Sequence, residues 1–532
     1  MPATTLGKVT LIAALLLVGC GGGGNSVVQP PPPPPPPPPP TFSNPQLAWT
    51  GDEQVSSGFG DHGVGSSGPS GAASVPDGSG GAIIVWEDRS FAAVHGQHLD
   101  ATGKLLWQAT GVSPSNVNTY QASPQAVSDG AGGTVVAWVD GRGGVCNEAF
   151  QFNCDIYAQR IDSSGNLLWS SSGAPIVTDP ANQGSSGIAM ISDGSGGAIM
   201  AWEDGRSPCC RVYAQRVASS GQVLWALDGI QVSPTPPIVI GTIGVPQMIS
   251  DGNGGAIVAW WNTQSADPNQ VRSVSAQRLG ADGALMWAAG GVTVSGLTGG
   301  FGSGNMLGYD LTSDGDGGAI FSGSFIDQTA SGVATVQRID KTGSVQWPSS
   351  GVQLASAPSH VLNPKILTDG SGGAIVAWAD CVSQGVNCSI LAQRVDPSGR
   401  LLWAVNGISL TSTPNRKFGP IVLGDGAGGA VVAWEDCPNV SALSQCADGI
   451  DLYGQRINPN GQTMWQLSGF PISAAPDNQG VQTGNLDVGI YVSSDSLGNI
   501  FLVWPDGRIN HSCTYTPVLL PSHCDLFAQK LH

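Results

Sequence analysis

The chain of 532 residues carries 11 cysteines, seven histidines and 38 acidic side chains with the means to do chemistry. Apart from Cys20, the cysteines fall into five close pairs: Cys146/Cys154, Cys209/Cys210, Cys381/Cys388, Cys437/Cys446 and Cys513/Cys524. Such pairs read as local disulfides of an oxidising, extracytoplasmic compartment. A bond between the adjacent Cys209 and Cys210 would be strained, because a trans peptide holds their Cα atoms about 3.8 Å apart. Zinc is the rival use of paired cysteines, but no Cys-x-x-Cys has a companion pair nearby. The histidines show no metal spacing either: His98 replaces a repeated arginine, while His511 and His523 flank Cys513 and Cys524. The turn Asp314-Gly-Asp316-Gly offers fewer oxygens than the roughly six that calcium prefers. Glycoside hydrolysis or lyase action would need two carboxylates at a set distance. Glu148 and Asp327 are candidates, yet nothing distinguishes them from solvated loop acids. The residues thus mark no catalytic site, no metal site and no cofactor.

A repeat positions these groups. Asp-Gly-x-Gly-Gly recurs at Asp77, Asp129, Asp193, Asp251, Asp314, Asp369 and Asp425, with Asp495-Ser-Leu-Gly-Asn as a degenerate eighth copy. Nine residues after each Asp stand Trp86, Trp138, Trp202, Trp260, Trp378, Trp434 and Trp504; the fifth copy has Gly323 instead. A glutamine follows each: Gln97, Gln159, Gln215, Gln277, Gln337, Gln393, Gln455 and Gln529. Ten residues beyond the first seven glutamines come Trp107, Trp169, Trp225, Trp287, Trp347, Trp403 and Trp465. Copies about 60 residues apart suit four strands and their connections.

The Asp-Gly-x-Gly-Gly turn joins strand one to an apolar, β-branched strand two. Strand three holds Ala-Gln-Arg and strand four holds Leu-Leu-Trp. Strand two is apolar on both faces, so the sheet must be covered on both sides. Four-stranded sheets stacked around an axis satisfy that requirement. The fold expected is all-β, an eight-bladed β-propeller of four-stranded antiparallel blades. The eighth copy stops after Gln529, whereas Leu47-Ala48-Trp49 is a fourth strand without its first three. One is expected to complete the other, closing the ring and removing an open edge.

Fifteen of the 16 tryptophans, Trp49 among them and Trp261 excepted, then read as blade-packing anchors. The repeated glutamines, with Arg160, Arg216, Arg278, Arg338, Arg394 and Arg456, are expected to serve hydrogen bonding between blades. Asp88, Asp140, Asp204, Asp380, Asp436 and Asp506 are candidate partners of those arginines. Strand alternation puts the short invariant turns at one end of the ring. The strand-two-to-three loops, with their cysteines, emerge at the other. These run 11 to 25 residues from tryptophan (or Gly323) to glutamine. Variable loops on a rigid scaffold are where recognition usually resides.

The start of the chain reads as an address. Lys8 precedes the apolar run Val9–Val18, too short to span a bilayer and suited to a signal peptide. Leu17-Val18-Gly19-Cys20 resembles the lipobox of bacterial lipoproteins, which implies cleavage before Cys20, acylation of its sulfur and stable anchoring. Gly21 after the cysteine, by the same resemblance, favours the outer membrane of a Gram-negative cell. Pro30–Pro40 should form a polyproline rod of roughly 34 Å that holds the next domain off the bilayer. The organisation expected is a signal peptide over 1–19, an acylated Cys20 with a Gly/Pro-rich tether over 20–45, and the propeller over 46–532.

His98-Leu-Asp-Ala-Thr-Gly-Lys-Leu-Leu-Trp107 resembles the tryptophan-docking motif of quinoprotein-dehydrogenase-like propellers. The pattern recurs at Asp162–Trp169, Asp340–Trp347 and Asp396–Trp403, with Ala218, Gly280 and Asn458 replacing the Asp elsewhere. That superfamily characteristically has eight blades. It includes quinone-cofactor dehydrogenases and the propeller lipoprotein of the outer-membrane β-barrel assembly machinery. The turn here is one residue shorter than theirs, and Asp-Gly-x-Gly-Gly is not their signature. In some members adjacent cysteines, as at Cys209-Cys210, cover the quinone; the accompanying calcium ligands and catalytic Asp are not identifiable here.

A net charge of −18 excludes nucleic acid as a partner, since phosphate neutralisation drives that binding. The function expected is a lipid-anchored, monomeric, non-catalytic binding or assembly scaffold acting through its loop end. It would engage the membrane through its anchor and an envelope protein or extracellular ligand through its loops. The alternative is a quinoprotein-type dehydrogenase or a carbohydrate-active propeller enzyme.

Overall fold

Each blade is built outward from its Asp-Gly turn. In blade 2, Asp129 Oδ1 accepts the N–H groups of Ala131 and Gly133, both at 2.8 Å. Gly130 and Gly132 supply the positive φ of 74° and 82° that this tight reversal requires. The turn joins Gln121–Ser128 to Thr134–Asp140, and Asp155–Ile161 and Ala174–Val177 complete the antiparallel sheet. Every residue of the second strand is buried, which accounts for its apolar character on both faces.

The computed structural model describes residues 47–49, 52–55, 71–88, 92–144, 146, 153–206, 210–234, 246–263, 271–300, 308–326, 332–355, 360–383, 386–413, 415–437, 450–473, 490–495, 498–506 and 525–531. They form an all-β, eight-bladed propeller of small antiparallel sheets. First strands of neighbouring blades meet at the centre, where Ser74 Oγ donates to Ser493 Oγ at 2.9 Å and Ile366 N–H to Asp310 Oδ2 at 3.1 Å. Fourth strands lie outermost. In blade 8, Glu53–Gln54 lies beside Asp525–Leu531, and Ala48 N–H donates to the Lys530 carbonyl at 2.9 Å.

The outer strand differs from the simple Leu-Leu-Trp strand expected. In blade 2 it is a bridge at Leu167, then a turn holding Trp169, then Ala174–Val177. The turn exists because Gly173, at φ 80°, sits against Trp138: a Cβ there would lie 2.6 Å from the indole. Trp202, Trp260, Trp378 and Trp434 press on Gly229, Gly291, Gly407 and Gly469 in the same way. In these blades the second-strand indole therefore sets where the outer strand can resume.

Candidate functional site

From blade 1 to blade 6 the repeated polar residues form one device per seam. Trp169 Nε1 donates to the Ser219 carbonyl in the next blade at 2.8 Å, and Arg160 Nη1 reaches the same oxygen at 3.4 Å. Trp225 with Arg216, Trp287 with Arg278, Trp347 with Arg338 and Trp403 with Arg394 share the carbonyls of Ala281, Lys341, Pro397 and Pro459. Each indole lies flat on a glycine of that next turn, such as Gly221 on Trp169. In blade 1, His98 takes the arginine's place between Asp77 and the Ser163 carbonyl, which also accepts from Trp107.

The arginines do not pair with the acids expected for them. Their partners are the turn aspartates of their own blades: Arg160 with Asp129, Arg216 with Asp193, Arg278 with Asp251, Arg338 with Asp314, Arg394 with Asp369 and Arg456 with Asp425, all at 2.8–3.0 Å. Strands one and three flank strand two, so the turn at its start is within reach of the third strand's arginine. An acid at its far end is not. The glutamines act mainly within a blade rather than between blades. Gln277 Oε1 accepts the Arg278 and Trp287 N–H groups, and its Nε2 donates to the Ala288 carbonyl, tying strand four to strand three.

The acids at the loop end do other work. Asp140 accepts from the Trp138 indole at 2.7 Å and from Arg142 Nε and Nη2 at 2.8 Å each. The guanidinium then lies 3.6 Å above the Tyr157 ring. Blade 3 repeats the arrangement with Asp204, Trp202, Arg206 and Tyr213. In blade 7, Asp436 turns instead to Asn415 at 2.8 Å and to buried Lys417 at 3.3 Å. The Trp434 indole N–H is left without a partner among the described residues.

Asp155 stands directly across the sheet from Asp140. Burial, then the like charge of Asp140, raise its pKa to about 6, against the attraction of Arg142; Asp228 adds a further like charge. Asp451 opposite Asp436 is raised for the same two reasons. With the folded pKa above the unfolded value, the native state holds the extra proton. The resulting stability is full below about pH 4 and is lost as pH rises through about 6. Asp155→Asn is expected to remove this share of the slope. In melts from pH 4 to 7 the variant should match the parent at the acid end and exceed it at neutrality.

Between blades 2 and 3 the outer wall opens into a cleft of about 470 Å³, lined by Arg142, Tyr157, Trp169, Ser170–Pro175 in part, and Ser220–Gly221. One residue of its lining departs from the repeat. Five positions after the outer-strand tryptophan blade 8 has Gln54, and six other blades carry Val112, Ile230, Val292, Val352, Ile408 and Phe470. These pack beside the indoles, as Val352 does with Trp347 and Phe470 with Trp465. Blade 2 has Ala174 there; Trp169 is half-buried, as is Trp403 beside Ile408 in blade 6. Sequence reasoning passed over this site, although its signal was a small residue in an otherwise bulky column of the repeat.

Disulfides join Cys146 to Cys154 and Cys381 to Cys388 at the loop end, with Cα atoms 5.1 and 4.0 Å apart. Cys210 and Cys437 are also disulfide-bonded. Cys20, Cys209, Cys446, Cys513, Cys524, Glu148, Asp327, His511 and His523 lie outside the described residues. The packing tryptophans of strand two are buried, as are Trp49, Trp107, Trp225, Trp287, Trp347 and Trp465; Trp169 and Trp403 are half-buried. Trp261, outside the repeat, is buried edge-on to Tyr309. Among the described residues no three His, Cys, Asp or Glu side chains gather as a metal site, and no helix is long and apolar enough to cross a membrane.

No protein-family model matches the sequence, and no curated protein matches it. Among solved structures it is similar to a puromycin hydrolase, at 14% identity and a TM-score of 0.37, covering 90% of this chain and 64% of that one. The chain thus spans less than two thirds of the hydrolase's length. An ulvan lyase aligns at 11% identity and a TM-score of 0.37, covering 62% of this chain and 81% of the lyase. An endo-arabinase from Bacteroides thetaiotaomicron aligns at 12% identity and a TM-score of 0.25, covering 53% of this chain and 92% of the enzyme. At such scores none of these activities is carried to this chain.

Proposed function

We propose that this protein is a lipid-anchored, extracytoplasmic propeller that captures a protein or extracellular ligand at its loop end without transforming it. One observation carries the reading: the polar residues common to the blades are spent on one another. The arginines, turn aspartates, glutamines and outer-strand indoles bond within a blade or across a seam. What differs between blades, and could therefore be selective, is gathered in the strand-two-to-three loops, where both described disulfide pairings sit. Clipped loops on a rigid ring lose little conformational entropy on binding. The Leu17–Cys20 pattern, the proline rod and the absence of any nucleic-acid-like charge balance support an anchored position in the bacterial envelope.

The test is a pulldown from detergent-solubilised envelope with the full chain. Replacing the clipped segments 141–154 and 382–387 by Gly-Ser linkers of equal length is expected to abolish capture of the partner. The lost Cys146–Cys154 clip lowers stability by only about 2–3 kcal/mol, and the Cys381–Cys388 bond is kept. Cys20→Ser is expected to release the protein to the soluble fraction. Retained capture after loop replacement would count against the loop end, and quinone absorbance in the purified protein would favour the dehydrogenase alternative.

A further inference from the structure

We infer that the cleft between blades 2 and 3, which takes Arg142 from the start of the blade-2 loop, is a second binding site and that it takes a neutral saccharide. The cation in its lining is already answered. Asp140 holds Arg142 through both carboxylate oxygens at 2.8 Å, and Arg142 Nη1 takes no hydrogen bond among the described residues. The cleft therefore offers a directed donor without net positive charge. A phosphate or sulfate group would find no uncompensated cation in a chain of net charge −18.

The rest of the lining fits a ring that is apolar on its faces and hydroxylated at its rim. Trp169 presents a half-buried indole, with its N–H already donated to Ser219, so what remains for a ligand is hydrocarbon surface. Around it stand the hydroxyls of Ser170, Ser172, Ser220 and Tyr157. Ser170 and Ser172 share a hydrogen bond at 3.0 Å, and a purely apolar ligand would strip water from this hydroxylated rim at a desolvation cost. A pyranose supplies both halves: C–H groups for the indole, and hydroxyls that donate to and accept from serines and accept from the guanidinium. The volume of about 470 Å³ lies within the range of sites that hold small molecules.

Ala174 lines the cleft, so the decisive variant fills it. Ala174→Ile installs the residue that blades 3 and 6 carry at this place as Ile230 and Ile408. The full-length protein in detergent is titrated calorimetrically with cellotriose, xylotriose and mannotriose, and indole fluorescence is followed in parallel. At least one trisaccharide is expected to bind and shift the fluorescence. Ala174→Ile is expected to weaken it by about tenfold or more, roughly 1.4 kcal/mol per decade. Should that variant lower Tm, Ser220→Tyr blocks the cleft from the exposed turn opposite and is expected to give the same loss. Absence of binding by all three sugars, undiminished binding by both variants, or tighter binding of sulfated or uronic counterparts overturns the proposal. Replacing the 382–387 loop in blade 6 must leave sugar binding intact, so failure here is distinguishable from failure of the loop-end reading.

Discussion

Trp49→Ala is expected to lower the free energy of unfolding by about 3–5 kcal/mol, the range for deleting a buried tryptophan. Trp49 is 1% exposed, packs against Phe501 with ring centroids 6.2 Å apart, and donates its indole N–H to the Ala101 carbonyl of blade 1 at 3.2 Å. It touches both the last blade and the first, so its loss should loosen the seam where chain start and chain finish meet. Urea denaturation of the variant, beside Trp403→Ala at a half-buried equivalent, measures the difference. If the N-terminal segment completes the ring, deleting residues 46–55 should cost more than Trp49→Ala alone. A deletion no worse than a surface substitution would mean that this segment is dispensable and the ring is held shut in another way.

Arg278→Met comes second. It strips the guanidinium from Asp251, which is 2% exposed and receives Arg278 Nε at 3.0 Å and Nη2 at 2.8 Å. A buried charge left without its partner typically costs about 3–5 kcal/mol. The lower end is expected here, because Asp251 Oδ1 still accepts the N–H groups of Asn253 and Gly255 at 2.8 Å. Adding Asp251→Asn should recover part of the loss, since the double variant buries no charge and its amide oxygen can keep the turn. A chemical-denaturation cycle over the four proteins measures the coupling. Coupling near zero would reduce these pairs to solvent-screened contacts and remove them from the account of the seams.

The propeller was legible because its signals are local and repeated. An Asp-Gly turn, a β-branched strand and an indole at fixed intervals each answer to short-range physics. Hydrogen-bond partners were less so. Asp129 and Asp140 stand at opposite ends of strand two, and only strand register decides that the turn acid is the neighbour of Arg160. The glutamines were misassigned to seams because sequence gives an amide no direction. The cleft was missed for another reason: Ala174 is informative only when its counterparts are lined up, since an alanine in a strand says nothing alone. The elevated Asp155 likewise follows from facing Asp140 across the sheet, a relation fixed by pairing rather than by spacing.

The seams of blades 2 to 6 share a direction. A blade lends its indole and guanidinium forward and offers a turn oxygen backward, so contacts run head to tail around the circle. Contacts of that kind have no built-in stopping point, so the number of blades depends on the angle each wedge subtends. Since the donor side of one wedge matches the acceptor side of nearly any other, loss or duplication of a unit during gene recombination would leave no mismatched joint, only a circle of different circumference.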